Sequence, residues 1–196
     1  RLKSDPALID VVLKRAEDDD PRVRFQAAIT LGDAKDAPVE RVSEALARIA
    51  ARDGADRWAR AAVFSSLHDR EASFLEALRN LAGGEASFSP ELLVELGRMM
   101  PLSVPRDQWP ALTRRVVAAR DGRAFAPRDQ AALLTGLAGS VRGKLKASEG
   151  DDALHALAGG DPELTAAVDS VVETMSKLAA DASATLDQRR AAVGFL

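Results

Sequence analysis

Apolar residues recur along this chain at intervals of three and four. Leu8, Val11, Val12 and Ala16 form one stripe; Val39, Val42, Leu46 and Ile49 a second; Phe74, Leu75, Leu78 and Leu81 a third; Leu112, Val116 and Ala119 a fourth. Residues so spaced share one face of an α-helix, and no segment alternates with period two for long enough to make a strand. The breaks between stripes carry start signals. Asp5-Pro6, Asp20-Pro21, Ser89-Pro90 and Asp161-Pro162 each put a side-chain acceptor at the N-cap and a proline at the first helical position, where the missing N–H costs nothing. Ala37-Pro38 and Ala126-Pro127 are weaker starts, and Gly32, Gly54, Gly83, Gly122 and Gly159 fall where a turn or a left-handed C-terminal residue is expected. The pattern predicts helices near 5–17, 20–32, 38–52, 55–67, 70–82, 89–99, 107–120, 127–141, 151–158 and 162–181, with an eleventh from 186. Gly143, Gly150, Gly159 and Gly160 make 142–160 the most interrupted stretch.

Self-similarity organises these helices. Gln26-Ala27-Ala28-Ile29 returns as Arg60-Ala61-Ala62-Val63, as Gln130-Ala131-Ala132-Leu133 and as Arg190-Ala191-Ala192-Val193, and Leu92-Leu93-Val94-Glu95-Leu96-Gly97 echoes Ala28-Ile29-Thr30-Leu31-Gly32. An underlying period of about 35 to 40 residues is that of a two-helix repeat. Paired alanines let the helix of one repeat approach its equivalent in the next. The expected fold is all-α: a right-handed α-α superhelix, or solenoid, of about five irregular helix pairs forming one domain, 1–196. The pairs fall near 5–52, 55–82, 89–120, 127–158 and 162–196.

The segment Asp20-Pro21-Arg22-Val23-Arg24-Phe25-Gln26-Ala27-Ala28-Ile29-Thr30-Leu31-Gly32-Asp33 resembles the HEAT repeat, with its aspartate-proline start, valine-arginine, paired alanines and leucine-glycine. Arg57 to Leu67, Gln130 to Ala138 followed by Arg142-Gly143-Lys144, and Asp187 to Val193 extend the likeness to the HEAT-type domain of large multidomain proteins of planctomycetes and relatives. In that family the domain sits between a sorbosone-dehydrogenase-like propeller and a c-type cytochrome domain. The resemblance implies a helical spacer and docking surface within a larger membrane-bound dehydrogenase or haem-binding protein, periplasmic or secreted. Its partners would be the neighbouring domains of the parent chain or another protein.

Composition narrows the chemistry. Alanine and leucine make up almost a third of the residues, which suits helices packed through small side chains. There is no cysteine and there are two histidines, which excludes disulfides, iron–sulfur clusters, covalent haem attachment and a three-histidine metal site in this segment. A net charge of −3 argues against a dedicated nucleic-acid binder. No run of eighteen apolar residues and no signal peptide is present. The chain opens on Arg1-Leu2-Lys3 and closes on the apolar Ala191 to Leu196, so a segment of a longer protein is expected.

Candidate chemistry is sparse. His68 and His155 are read as surface or helix-capping residues, not metal ligands. Ser65-Ser66 with His68 and Asp69 supplies the residue types of a hydrolase triad, but on one helix they point around the axis. Glu17-Asp18-Asp19-Asp20 lacks the ligand alternation and glycine of a calcium loop and reads as a solvated turn. Met99-Met100, Trp109 and Phe125 read as core. No catalytic, cofactor-binding or metal-binding residue is therefore assigned, and no cofactor is expected in this segment. Arg106, Arg114, Arg115, Arg120, Arg123 and Arg128, followed by Arg142, Lys144 and Lys146, form a basic stretch. It would serve the alternative functions: a nucleic-acid-binding domain like the HEAT-like DNA glycosylases, or a HEAT-like enzyme of the pigment-lyase type. The primary expectation is a non-catalytic scaffold. Second helices of such pairs carry the exposed ladder Glu40, Glu44, Arg48, Arg52, with Glu44 and Arg48 spaced for a pair along the helix. Glu44, Arg48, Arg79, Arg114 and Arg115 are the predicted partner-binding residues.

Overall fold

The computed structural model describes residues 6–82, 88–102, 104–145 and 152–196. Among them the fold is all-α, as the repeat pattern requires. The helices are α1 (Pro6–Lys14), α2 (Pro21–Gly32), α3 (Val39–Asp53), α4 (Arg57–Ser65), α5 (Glu71–Ala82), α6 (Pro90–Met99), α7 (Trp109–Val117), α8 (Pro127–Val141), α9 (Ala153–Ala158), α10 (Pro162–Ala180) and α11 (Leu186–Phe195). Asp5, Gly83, Gly84, Lys146 and Gly150 lie outside the described residues. The chain forms two compact units, Arg1–Leu92 and Leu93–Leu196.

In the first unit, α2 packs on α4 and α3 packs on α5, so first helix lies on first helix and second on second, which is the stacking of a two-helix repeat. The starts are set by caps. Asp20 accepts the N–H of Arg22, with Pro21 in the first turn, and Asp56 accepts the N–H groups of Trp58 and Ala59. Each such cap contributes about 1 kcal/mol. The second carries no proline, which is why the sequence pattern places that start near residue 55. Four residues beyond each cap an arginine turns back: Arg24 Nη1 donates to the carbonyls of Asp18 (2.6 Å) and Asp19 (2.9 Å), and Arg60 Nη1 to those of Gly54 (3.0 Å) and Ala55 (2.9 Å). Asp20 and Arg24 thus correspond to Asp56 and Arg60, a repeat of 36 residues.

That register differs by two from the spacing of the alanine pairs, and the seam explains the difference. The Ser66 hydroxyl donates to the Ala28 carbonyl at 2.8 Å, and a Cβ on Gly32 would lie 2.7 Å from the same hydroxyl. The face of α2 carrying Ala28 and Gly32 therefore meets the face of α4 carrying Ala62 and Ser66. Opposite faces of successive helices meet at a seam, so small residues facing one another need not be repeat-equivalent. Gly32 and Gly54 fall at helix ends as expected, with right-handed backbone, and serve close approach. On α1 the buried residues are Ile9 and, in the following 3-10 turn, Ala16, while Leu8 and Val11 are exposed. The apolar stripe is rotated because α1 lies against both α2 and α3.

In the second unit, α8 and α10 each contact α7, α9 and α11 as well as one another. The close approach here is between backbones. A Cβ on Gly97 of α6 would fall 2.2 Å from the Leu133 carbonyl oxygen, and one on Gly136 of α8 would fall 2.2 Å from that of Val94. Buried Thr113 donates to the Trp109 and Leu157 carbonyls at 3.0 and 3.1 Å, joining α7 to α9. Helix α7 ends at Val117, three residues earlier than its stripe suggests. Gln130 donates to the Val117 carbonyl, and Asp121 and Gly122, both at positive φ, turn the chain between bridged Arg120 and Arg123. Trp109, Phe125 and Met100 are buried as expected. Of the alanine pairs, Ala131 and Ala192 are buried, Ala132 is half-buried and Ala191 exposed.

Candidate partner-binding surface

The predicted docking residues separate on the structure. Glu44 and Arg48 lie one turn apart on α3, exposed on a groove of about 360 Å³ lined by Asp10, Leu13, Lys14, Glu17, Arg41 and Ala45. Arg48 reaches across this groove to Glu17 at 3.0 Å instead of along its helix to Glu44. Arg41 pairs with Asp10 at 2.8 Å and Arg52 with Asp19 at 3.4 Å. The charge ladder of α3 is thus three rungs tying the helix to α1 and the turn after it. Lys14 and Glu44 lie between the rungs.

Arg79 is a correction. Expected on the exposed face, it is 2 % exposed, and its guanidinium pairs with Glu76 at 2.5 Å on the same helix. Helix α5 carries this position inward, so burial overrides what the charge suggests. Arg114 and Arg115 stand on the exposed side of α7, and Arg114 pairs with Asp161, the N-cap of α10. The N–H of Leu164, helped by Arg114, holds the Asp161 carboxyl below its usual range.

The described cations of the basic stretch are exposed, and several of them are engaged by neighbours within the unit. Arg106 stacks 5.5 Å from the Trp109 ring centroid, Lys144 donates to the Pro101 carbonyl at 3.1 Å, and Arg128 lies 3.5 Å from Asp129. Asp129 is buried, which pushes its carboxyl above the ordinary value. The acidic turn 17–20 is also clasped. Arg24 holds Asp53 with two short bonds, 2.6 Å from Nε and 2.5 Å from Nη2, and the Asp53 hydrogen bond raises its own pKa further. Arg15 pairs with Asp18 at 2.8 Å, and the Asp20 N–H, then Arg15, lower the Asp18 carboxyl. Sequence inspection missed Arg70, which is buried and donates to the carbonyls of Leu31, Ala34 and Ser66. An arginine four residues beyond a buried serine was the available signal.

Asp152 caps α9 by accepting the His155 N–H at 3.0 Å, while the His155 ring pairs with Asp152 and, at 3.2 Å, with Asp169 on α10. The Asp152 hydrogen bond is the main cause that raises the imidazole pKa. Among the described residues no cluster of three or more histidine, cysteine, aspartate or glutamate side chains suits a metal ion, and no helix is long and apolar enough to cross a membrane.

The family model described as HEAT repeats matches residues 1–68. The match spans α1 to α4, where the packing of α2 on α4 and the 36-residue clasp are found. No curated protein and no solved structure matches the chain. Residues 1–68 are thus similar to HEAT repeats, an architecture that in general serves as a protein-interaction scaffold.

Proposed function

We propose that this chain is a non-catalytic scaffold that positions neighbouring domains of a larger oxidoreductase or haem-binding protein, and that it holds no cofactor itself. The observation that carries the reading is the use of charge in the first unit, most of it within the HEAT-matched residues 1–68. Arg24, Arg60 and Arg70 are directed at backbone carbonyls between helices, and the α3 ladder closes on α1. Side chains so engaged hold helices in place. The family resemblance of the sequence supports the parent, with a propeller and a c-type cytochrome domain as partners.

Docking in this reading centres on the α1–α3 groove, with Glu44 and Lys14 available between the rungs and Arg48 able to exchange Glu17 for a partner carboxylate. On the second unit it uses Arg114 and Arg115. Calorimetric titration of the chain with the parent's propeller and cytochrome domains tests it. Binding is expected, weakened at least tenfold by Glu44→Lys; absence of binding, or an unchanged affinity in that variant, contradicts the proposal. Arg48→Glu is less informative, since it also repels Glu17. The nucleic-acid alternative loses support from the pairing of Arg114 with Asp161 and of Lys144 with Pro101.

A further inference from the structure

A small cavity of about 260 Å³ opens at the N-terminal mouth of the seam between α2 and α4, lined by Pro21, Arg22, Phe25, Asp53, Asp56 and Ala59. Pro21, Phe25 and Ala59 give it an apolar wall. Trp58, on the first turn of α4, is 63 % exposed, and Ile29, two turns along α2 from the mouth, is 41 % exposed. Single exposed apolar residues are ordinary. The two helix starts that line this apolar cavity also carry an exposed tryptophan and two exposed arginines, the residue types that dominate binding energy at protein interfaces.

The charges at the mouth are unequal in what they offer. Asp53 is held by Arg24 through two hydrogen bonds, and Asp56 is occupied by the N–H groups of Trp58 and Ala59. The cations face outward. The Arg22 side chain is 92 % exposed, and its nearest carboxylate, 3.6 Å away, is Asp20, itself engaged as the N-cap of α2. The Arg57 guanidinium lies 4.8 Å from the Trp58 ring centroid, where cation–π attraction holds it over the ring. A partner therefore meets an apolar recess flanked by two available positive charges and an aromatic face.

We infer that this mouth is a docking surface for an acidic protein segment that carries one large apolar side chain. The apolar side chain enters between Phe25 and Ala59, and flanking carboxylates meet Arg22 and Arg57. The recess walled by Pro21, Phe25 and Ala59 takes one apolar side chain, which a peptide carries and a sugar-phosphate backbone does not. The surface is distinct from the α1–α3 groove, so its failure leaves the Glu44 test untouched.

The probe is a short fluorescein-labelled peptide of glutamates flanking one phenylalanine, titrated against the full chain by anisotropy at low salt. Saturable binding is expected, weakened at least tenfold by serine in place of the phenylalanine or lysines in place of the glutamates. Trp58→Ser and the double variant Arg22→Glu with Arg57→Glu should weaken it as much, while Arg22→Lys with Arg57→Lys retains it. All three positions are exposed, and an unchanged circular dichroism spectrum separates lost binding from lost fold. No binding at millimolar peptide, equal binding of the lysine peptide, indifference to the charge reversals, or tighter binding of an oligothymidylate overturns the inference.

Discussion

Polar side chains tie elements together in both units, as Thr113 does α7 to α9 in the second, but the tight seams between helices differ. In the first, polar side chains cross from element to element: Ser66 to Ala28, Arg70 to Leu31 and Ala34, Arg24 to Asp53 and the preceding turn. In the second, the closest approach is backbone on backbone at Gly97 and Gly136. A clasp built on a helix cap repeats with the cap, so it leaves a periodic trace in the sequence; a glycine crossing needs only two residues and leaves almost none. The family match covers residues 1–68, where the Arg24 and Arg60 clasps recur.

The largest expected effect lies in the clasp. Arg24→Met leaves the largely buried Asp53 carboxylate without its cation, and removing one member of a buried pair costs about 3–5 kcal/mol. Urea unfolding should show this loss, with most of it recovered when Asp53→Leu is added. Equal stability of Arg24→Met and the parent chain would remove the clasp from the account.

The glycine contacts sharpen the contrast. At Gly136 an added methyl meets the Val94 carbonyl at 2.2 Å and the Arg98 nitrogen at 2.8 Å, both backbone atoms, so Gly136→Ala must move a helix. The overpacking cost is about 1–3 kcal/mol. At Gly32 the nearest atom is the Ser66 hydroxyl, which can rotate, and alanine gains about 1 kcal/mol of helix propensity over glycine. Gly32→Ala should therefore be the milder change in the same urea assay, and the reverse order breaks the comparison.

Surface charges come last. Removing one rung of the ladder, Arg48→Gln, should cost less than about 1 kcal/mol, as exposed pairs do. The His155 bridge has a similar ceiling but a pH signature. Its folded pKa is raised by Asp152 and Asp169, so its stabilisation is complete below the unfolded value of about 6.5 and is lost as pH rises through the higher folded value. Thermal melts from pH 5 to 9 should show a slope across that window which His155→Gln removes.

Much of the fold is legible in the sequence because helix starts are local. Asp20 and Asp161 cap where aspartate-proline predicts, and α8 and α10 run within a residue of their apolar pattern. The repeat register was harder, because Ala28 and Ala62 mark a seam and not equivalence; the true equivalents, Arg24 and Arg60, are known by where their guanidinium groups point. The docking face was legible only in part. Glu44 and Arg48 reach the surface as charge on a helix suggests, but nothing local distinguishes Arg79, which α5 carries inward, from an exposed arginine. Nor does Arg48 reveal that its partner is Glu17 on another element, a choice made by packing.

In the proposed function, α1 and α3 present the scaffold's docking groove. Chemical-shift mapping of the isotope-labelled chain, titrated with the parent's propeller and cytochrome domains, tests it most directly. The account predicts that the largest amide shifts fall at Lys14, Glu44, Arg48 and their neighbours. Saturable binding with no shift in α1 or α3 would contradict it.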